Sequence, residues 1–179
     1  MVIENERLSV EELHRTFLAA LNGSVIAHTD LDIKPLEVDL KSPLPPMLRV
    51  YMYNATYPPG GRTMGEHKIQ LIVPHQERGA CGNFDSTLGR IPLLVGYRPD
   101  LQIFMLWDAE LYVDFAYSRN VQVKPETVYE AFAQGVGRQR RALRHQSAEI
   151  VITADARHLG QAILERQQET LKRLLGEEA

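Results

Sequence analysis

The sequence predicts an α+β fold: a mostly antiparallel sheet or pseudobarrel, flanked by an N-terminal and a C-terminal helix. Three observations point there. Helical periodicity is confined to the two ends of the chain and one short stretch after Lys124. From Met47 to Val123 the chain instead reads as apolar or alternating runs broken by Gly, Pro, Asn and Asp. Strands and helices do not alternate in the manner that builds a parallel sheet. With 179 residues, one domain over 1–179 with its core at residues 8–175 is the expectation, and a chain of that size buries a self-sufficient core.

The first helix announces itself at Ser9-Val10-Glu11-Glu12, a capping box with Ser9 as N-cap and Glu12 three residues on. Leu13, Phe17 and Leu21 follow at four-residue spacing, and Asn22-Gly23 ends the helix. Residues 24–46 carry Pro35, Pro43, Pro45 and Pro46. Proline removes backbone donors and blocks helix, so a wrapping connection with a short edge strand at Leu36–Leu40 is expected. Strands are predicted at 47–56, 67–73, 91–97, 101–107 and 119–123. The runs Ile91–Tyr97 and Leu101–Trp107, joined by a tight turn at Tyr97-Arg98-Pro99-Asp100, are nearly continuous in apolar residues and predict the central hairpin. Lys124-Pro125-Glu126 starts a second helix with proline at its first position, Val128, Tyr129 and Phe132 facing inward and Gly135 at its end. A last strand is predicted at Ser147–Thr153. Asp155 then caps a helix carrying Leu159, Ile163 and Leu164, and later Leu171, Leu174 and Leu175.

Composition narrows the functional classes. No apolar run approaches the roughly eighteen residues of a membrane span, and the N-terminus is acidic rather than signal-like. The single cysteine, Cys81, excludes an intramolecular disulfide and fits a reducing cytosol, so a cytoplasmic location is expected. The formal net charge of −3 argues mildly against nucleic acid, but it is an average over blocks. Residues 43–98 hold six basic and three acidic groups, and residues 124–145 hold five and two, which leaves room for local basic surfaces.

The stretch Tyr57–Gln70 combines a glycine-rich loop with Arg62, Glu66, His67, Lys68 and Gln70, and reads as an arm projecting between two strands. At Arg119-Asn120-Val121-Gln122-Val123, arginine and amide side chains gather on a strand. Those are the side chains that pair bidentately with base edges in the major groove. Arg138, Arg140, Arg141 and Arg144 form a further basic segment, either contacting phosphates or simply solvated. Glu66-His67-Lys68 also matches the Glu-x-Lys half of a metal-dependent PD-(D/E)xK nuclease. That chemistry needs a second carboxylate upstream for Mg²⁺, and no Asp or Glu lies between Ser42 and Gly65. The plainer role for Glu66 is to hold Arg62 or Lys68 by a salt bridge. His67, His75 and Cys81 match no zinc spacing, and Cys81 has no local base. Catalytic residues, metal ligands and cofactors are therefore all expected to be absent, and no P-loop, Rossmann or Gly-x-Ser-x-Gly pattern appears.

Four segments together, Gly61–Gln70, Leu93–Tyr97, Phe104–Asp108 and Ser118–Val123, resemble an N-terminal specificity domain of bacterial restriction systems, over roughly residues 48–155. Such domains precede HNH-type or other nuclease modules, or GTPase subunits of the McrBC kind. The resemblance implies a domain that reads a sequence or a modified base in double-stranded DNA while another module or subunit cleaves. One architecture in such systems is the EcoRII-type pseudobarrel shared with plant B-three transcription factors, which grips the major groove with two arms. Residues 57–68 and 108–120 stand where those arms would be. The implied contacts are Arg62, His67, Lys68, Gln70, Arg119, Asn120, Gln122, Arg138, Arg140 and Arg141.

Overall fold

A computed structural model describes residues 6–56, 66–144 and 148–177. Helix α1 (Val10–Ala20) begins as its capping box dictates: the Glu12 amide donates to Ser9 Oγ and the Ser9 amide donates to the Glu12 carboxylate. Among the described residues nine strands follow in chain order, β1 (Val25–His28), β2 (Leu36–Leu40), β3 (Met47–Asn54), β4 (His67–Leu71), β5 (Ile91–Arg98), β6 (Ile103–Trp107), β7 (Arg119–Val123), β8 (Val136–Arg141) and β9 (Glu149–Asp155). Helix α2 (Pro125–Gln134) lies between β7 and β8, and helix α3 (Leu159–Leu174) follows β9.

Seven strands make one sheet in the order β1-β2-β3-β5-β6-β9-β8, while β4 and β7 pair separately as a two-stranded ribbon. Every neighbour in the sheet is antiparallel except β3 and β5. The hairpin β5–β6 sits at its centre, with Leu94 opposite Trp107 and Tyr97 opposite Phe104.

Alternation along the strands sends successive side chains to opposite faces. Val50, Met52, Leu93, Val95, Phe104 and Ile152 face one way, onto Phe17 of α1 and Ile163 of α3. Tyr51, Tyr53, Leu94, Met105, Trp107 and Val151 face the other way, onto the ribbon and Val128 and Ala131 of α2. The molecule is thus layered, with two helices on one side of the sheet and a ribbon plus one helix on the other.

The α+β class and the mostly antiparallel sheet are as the sequence predicts, but the sheet is open and does not close into a barrel. Leu36–Leu40 is a strand with the predicted bounds, yet it is not an edge. The edge is β1, whose four residues are largely exposed and carry no alternating apolar signal. Strand β8 reads in the sequence as a charged segment; its ladder to β9 runs from Val136↔Ala154 to Arg141↔Glu149. On α2 the buried positions are Thr127, Val128 and Ala131, whereas Tyr129 and Phe132 are 50% and 63% exposed. Tyr129 and Phe132 are three residues apart and share a stripe of their own, rotated away from Val128 and Ala131. Leu171, Leu174 and Leu175 are likewise exposed, beyond the part of α3 that packs through Leu159, Ala162 and Ile163.

Candidate nucleic-acid interface

The ribbon gathers residues that lie some fifty positions apart in the chain. Its register pairs His67 with Val123, Lys68 with Gln122, Ile69 with Val121, Gln70 with Asn120 and Leu71 with Arg119. His67, Ile69, Leu71, Val121 and Val123 are buried against the sheet. The intervening side chains, Lys68, Gln70, Asn120 and Gln122, consequently share the outer face. Burying each inner aliphatic side chain stabilises the arrangement by about 1.5–3 kcal/mol.

The ribbon is held close by one glycine and by bonds to its backbone. A Cβ on Gly96 of β5 would lie 2.9 Å from both Ile69 Cγ2 and the Trp107 ring, so only glycine lets the two layers approach this far. Trp107 Nε1 donates to the Gln122 carbonyl at 3.1 Å, and the Arg141 guanidinium donates to the same oxygen. Just past β4, the Tyr53 hydroxyl donates to the Ile72 carbonyl at 2.9 Å. Anchoring therefore uses carbonyls and the inner face. The side chains of Lys68, Gln70, Asn120 and Gln122 make no hydrogen bond or ion pair among the described residues.

The other sequence-derived candidates go elsewhere. His67 is fully buried beneath the ribbon, where its Nε2 meets the Arg98 guanidinium, so it is not on the outer face. Arg98 in turn donates to both Asp100 oxygens at 2.7 Å, and these bonds hold the Asp100 carboxyl below its usual range. Arg119 has the inward parity of Val121 and Val123. Being at the strand end it is exposed, with its guanidinium 5.1 Å from the Tyr112 ring centroid. On β8, Arg138 reaches Glu165 at 3.3 Å and Glu169 at 2.8 Å, both on α3, so it lies across the sheet from the ribbon. Arg140 shares that parity and borders a cavity with Arg166, Lys172 and Arg173. Arg141 has the opposite parity, which brings it to the ribbon backbone. Arg62 and the rest of 57–65 lie outside the described residues.

Residues 108–120 do not form an arm. Asp108 caps a 3₁₀ turn at Ala109–Leu111, and Tyr112 and Phe115 are buried under the ribbon side of the sheet. This segment belongs to a buried polar network that the sequence did not reveal. Glu149 accepts from the Asp108 amide at 3.0 Å and from the Tyr112 hydroxyl at 2.8 Å. Asp108 takes Arg173 at 2.9 Å and Arg166 at 3.6 Å. Burial pushes the Glu149 carboxyl up, with the Tyr112 bond and the Arg141 charge acting against it. Burial likewise pushes the Tyr112 hydroxyl up, and the Glu149 charge adds to it. A network of this kind ties strand ends to a helix and specifies one packing. Its only sequence signal is a lone Glu at the start of a strand, which carries no pattern. Among the described residues, no group of three or more His, Cys, Asp or Glu side chains is placed to hold a metal ion, and Lys68 of the Glu-x-Lys pattern faces Gln122 rather than a carboxylate.

A family model described as methylase-associated X1 matches residues 46–163, from the start of β3 into the first turn of α3. The chain belongs to the methylase-associated X1 family. The matched part of this methylase-associated domain contains the ribbon, the central hairpin, α2 and β8, and leaves α1, β1 and β2 outside. No curated protein and no solved structure matches the chain. Among the described residues, no helix is long and apolar enough to cross a membrane.

Proposed function

We propose that this methylase-associated domain is the DNA-reading element of a restriction–modification system, and that the outer face of the β4–β7 ribbon reads duplex DNA. The chemical step, methylation or cleavage, belongs to a methylase, nuclease or GTPase module of the same system. One observation carries the reading: the register sets Lys68 beside Gln122 and Gln70 beside Asn120, on a face whose side chains make no hydrogen bond or ion pair among the described residues. A two-stranded ribbon fits the major groove of B-DNA. Asparagine and glutamine pair bidentately with adenine N6 and N7 there, and lysine with guanine O6 and N7. Methylated bases carry their mark in the same groove when the methyl sits on adenine N6 or cytosine C5, so a methylase and this ribbon would address one surface. Arg119 at the ribbon end supplies a phosphate contact. His67 and Arg138 drop out of the reading because the first is buried and the second is engaged by α3.

A salt titration of a labelled duplex tests this. Affinity is expected to fall as salt rises, with a log–log slope of about −0.9 per phosphate neutralised. On a randomised-site library, Asn120→Ala is expected to relax the preference at one position. No binding at low salt, or an unchanged preference in the Asn120→Ala/Gln122→Ala double variant, would overturn the reading.

A further inference from the structure

A cavity of about 510 Å³ opens at one edge of the ribbon. Gln70 and Thr56 form its ribbon-side wall, and Thr56 bridges to Lys68. Gln70 therefore belongs both to the outer face and to the cavity. The volume lies in the range that encloses a ligand of nucleotide size.

The lining has an uneven chemistry. Its charged or titratable groups among the described residues are Arg7, Lys34, Tyr53 and His75, with no carboxylate. Lys34 is the singular one. Its ammonium sits 3.5 Å from the Tyr53 ring centroid and makes no hydrogen bond or ion pair among the described residues. Burial draws it down to about 8. Lys34 is half-buried, and an ammonium drawn this far out of water is ordinarily paired, because desolvation without a partner is costly. Arg49, the buried arginine on β3, shows the ordinary solution: Glu37 at 2.8 Å, Asp85 at 3.0 Å and a carbonyl at 3.1 Å.

Other polar groups of the wall are already engaged. The Tyr53 hydroxyl is held by Ile72, and Asn54 clips the chain at Leu8 by donating to its carbonyl and accepting from its amide, each at 2.9 Å. Gln76 accepts from Val73 and donates to Ala80 and Phe115. What remains available is the three-donor Lys34 ammonium, the Thr56 hydroxyl, one amide shared with the ribbon, the exposed Arg7 and His75, and apolar wall from Leu8, Val10 and Met52.

We propose that this cavity receives a single nucleobase swung out of the duplex held on the ribbon, with Lys34 donating to a keto oxygen of that base. The inference rests on the ribbon reading. Lysine has only donors, which favours guanine, cytosine or thymine over the amino edge of adenine. Arg7 and His75 at the rim suit the flanking phosphates. Swinging a base out costs stacking and pairing energy, and costs least when the base is already mispaired.

The test compares three duplexes that differ at one central position: an A·T pair, a T·T mismatch and a position abasic on both strands, so that no base can enter the cavity there. The wild-type chain is expected to bind the T·T duplex about tenfold more tightly than the A·T duplex, and to lose that gain on the doubly abasic duplex. Lys34→Met is expected to remove the preference, whereas Gln122→Ala weakens all three duplexes and keeps it. Thymidine 5′-monophosphate, titrated against the wild-type chain and followed by NMR, is expected to shift resonances of Tyr53 and Gln70. Equal affinity for A·T and T·T with no monophosphate shift would overturn the cavity while leaving the ribbon reading standing. Absence of duplex binding in every arm would overturn the ribbon reading and this inference with it.

Discussion

Two polar strips of this molecule look alike in the sequence and differ in the fold. One is the outer face of the β4–β7 ribbon; the other is the arginine-bearing strand β8. On β8 the charges are distributed to both sides of the sheet. Arg138 is committed to Glu165 and Glu169, and Arg141 to the Gln122 carbonyl. On the ribbon, the backbone and inner face do the anchoring, and four outward side chains have no hydrogen-bond or ion-pair partner among the described residues. The difference teaches that charge density is a poor guide to an interface. What marks one is polar chemistry aligned on a rigid element and left unengaged by the rest of the protein.

The largest effect expected to sharpen this comparison is on binding. Removing both ribbon amides in Asn120→Ala/Gln122→Ala should lower duplex affinity by about a hundredfold, two bidentate contacts being worth roughly 1–3 kcal/mol each. The melting temperature should barely move, since exposed substitutions away from caps and networks stay within about 0.5 kcal/mol. Equal losses of affinity and stability would mean that the amides support the fold instead.

Next in size is the seat of the ribbon. Gly96→Val pushes a branched side chain into Ile69 and Trp107 and should destabilise the protein by about 1–3 kcal/mol, read as a lower denaturant midpoint. Duplex affinity should fall with it, because the outer face moves with the inner one. Smaller again is Arg138→Ala. It should cost about 1 kcal/mol of stability, as Glu169 keeps Lys172 at 3.1 Å, and it should leave duplex affinity unchanged. A marked loss of affinity there would erase the distinction between the strips.

The last effect is a pH dependence at Lys34, which touches stability rather than the ribbon. Burial lowers its value to about 8 from the ordinary 10.5, so the folded chain releases this proton before the unfolded chain does. Between those values the unfolded state holds more protons, and stability rises with pH. Lys34→Met should therefore be more stable than wild type at pH 7, with the gap narrowing as pH climbs past 8 towards 10. Chemical denaturation of both chains at pH 7 and pH 10 reads the difference; a gap that widens with pH would contradict the assigned environment of Lys34.

Much of the fold was legible because its signals are local. The Ser9–Glu12 box, Pro125 at the start of α2, Gly135 at its end with φ of 93°, and the apolar hairpin of β5 and β6 each state their conformation within a few residues. The ribbon was legible only in pieces. Lys68 and Gln122 both stood out as polar positions on strands, but their pairing is long-range, and β4 reads equally well as a partner of β3. His67 misled because an imidazole beside a lysine looks like a surface pair, whereas strand alternation turns it inward onto Arg98. The Glu149 network and the Lys34 cavity left no trace, since each assembles single residues from distant segments.

The open sheet has one more consequence. With β1 and β8 at its ends, the sheet offers two rows of backbone donors and acceptors that no neighbouring strand covers among the described residues. Such rows invite another chain to add itself as an extra strand and to begin an aggregate. Arg138, Arg140 and Arg141 decorate one of them on both faces, so a second copy that sets its own β8 against this rim with the arginines opposed brings like charges together. The arginines that resemble a nucleic-acid segment in the sequence thereby act as a guard on the exposed rim, keeping one molecule from templating the next.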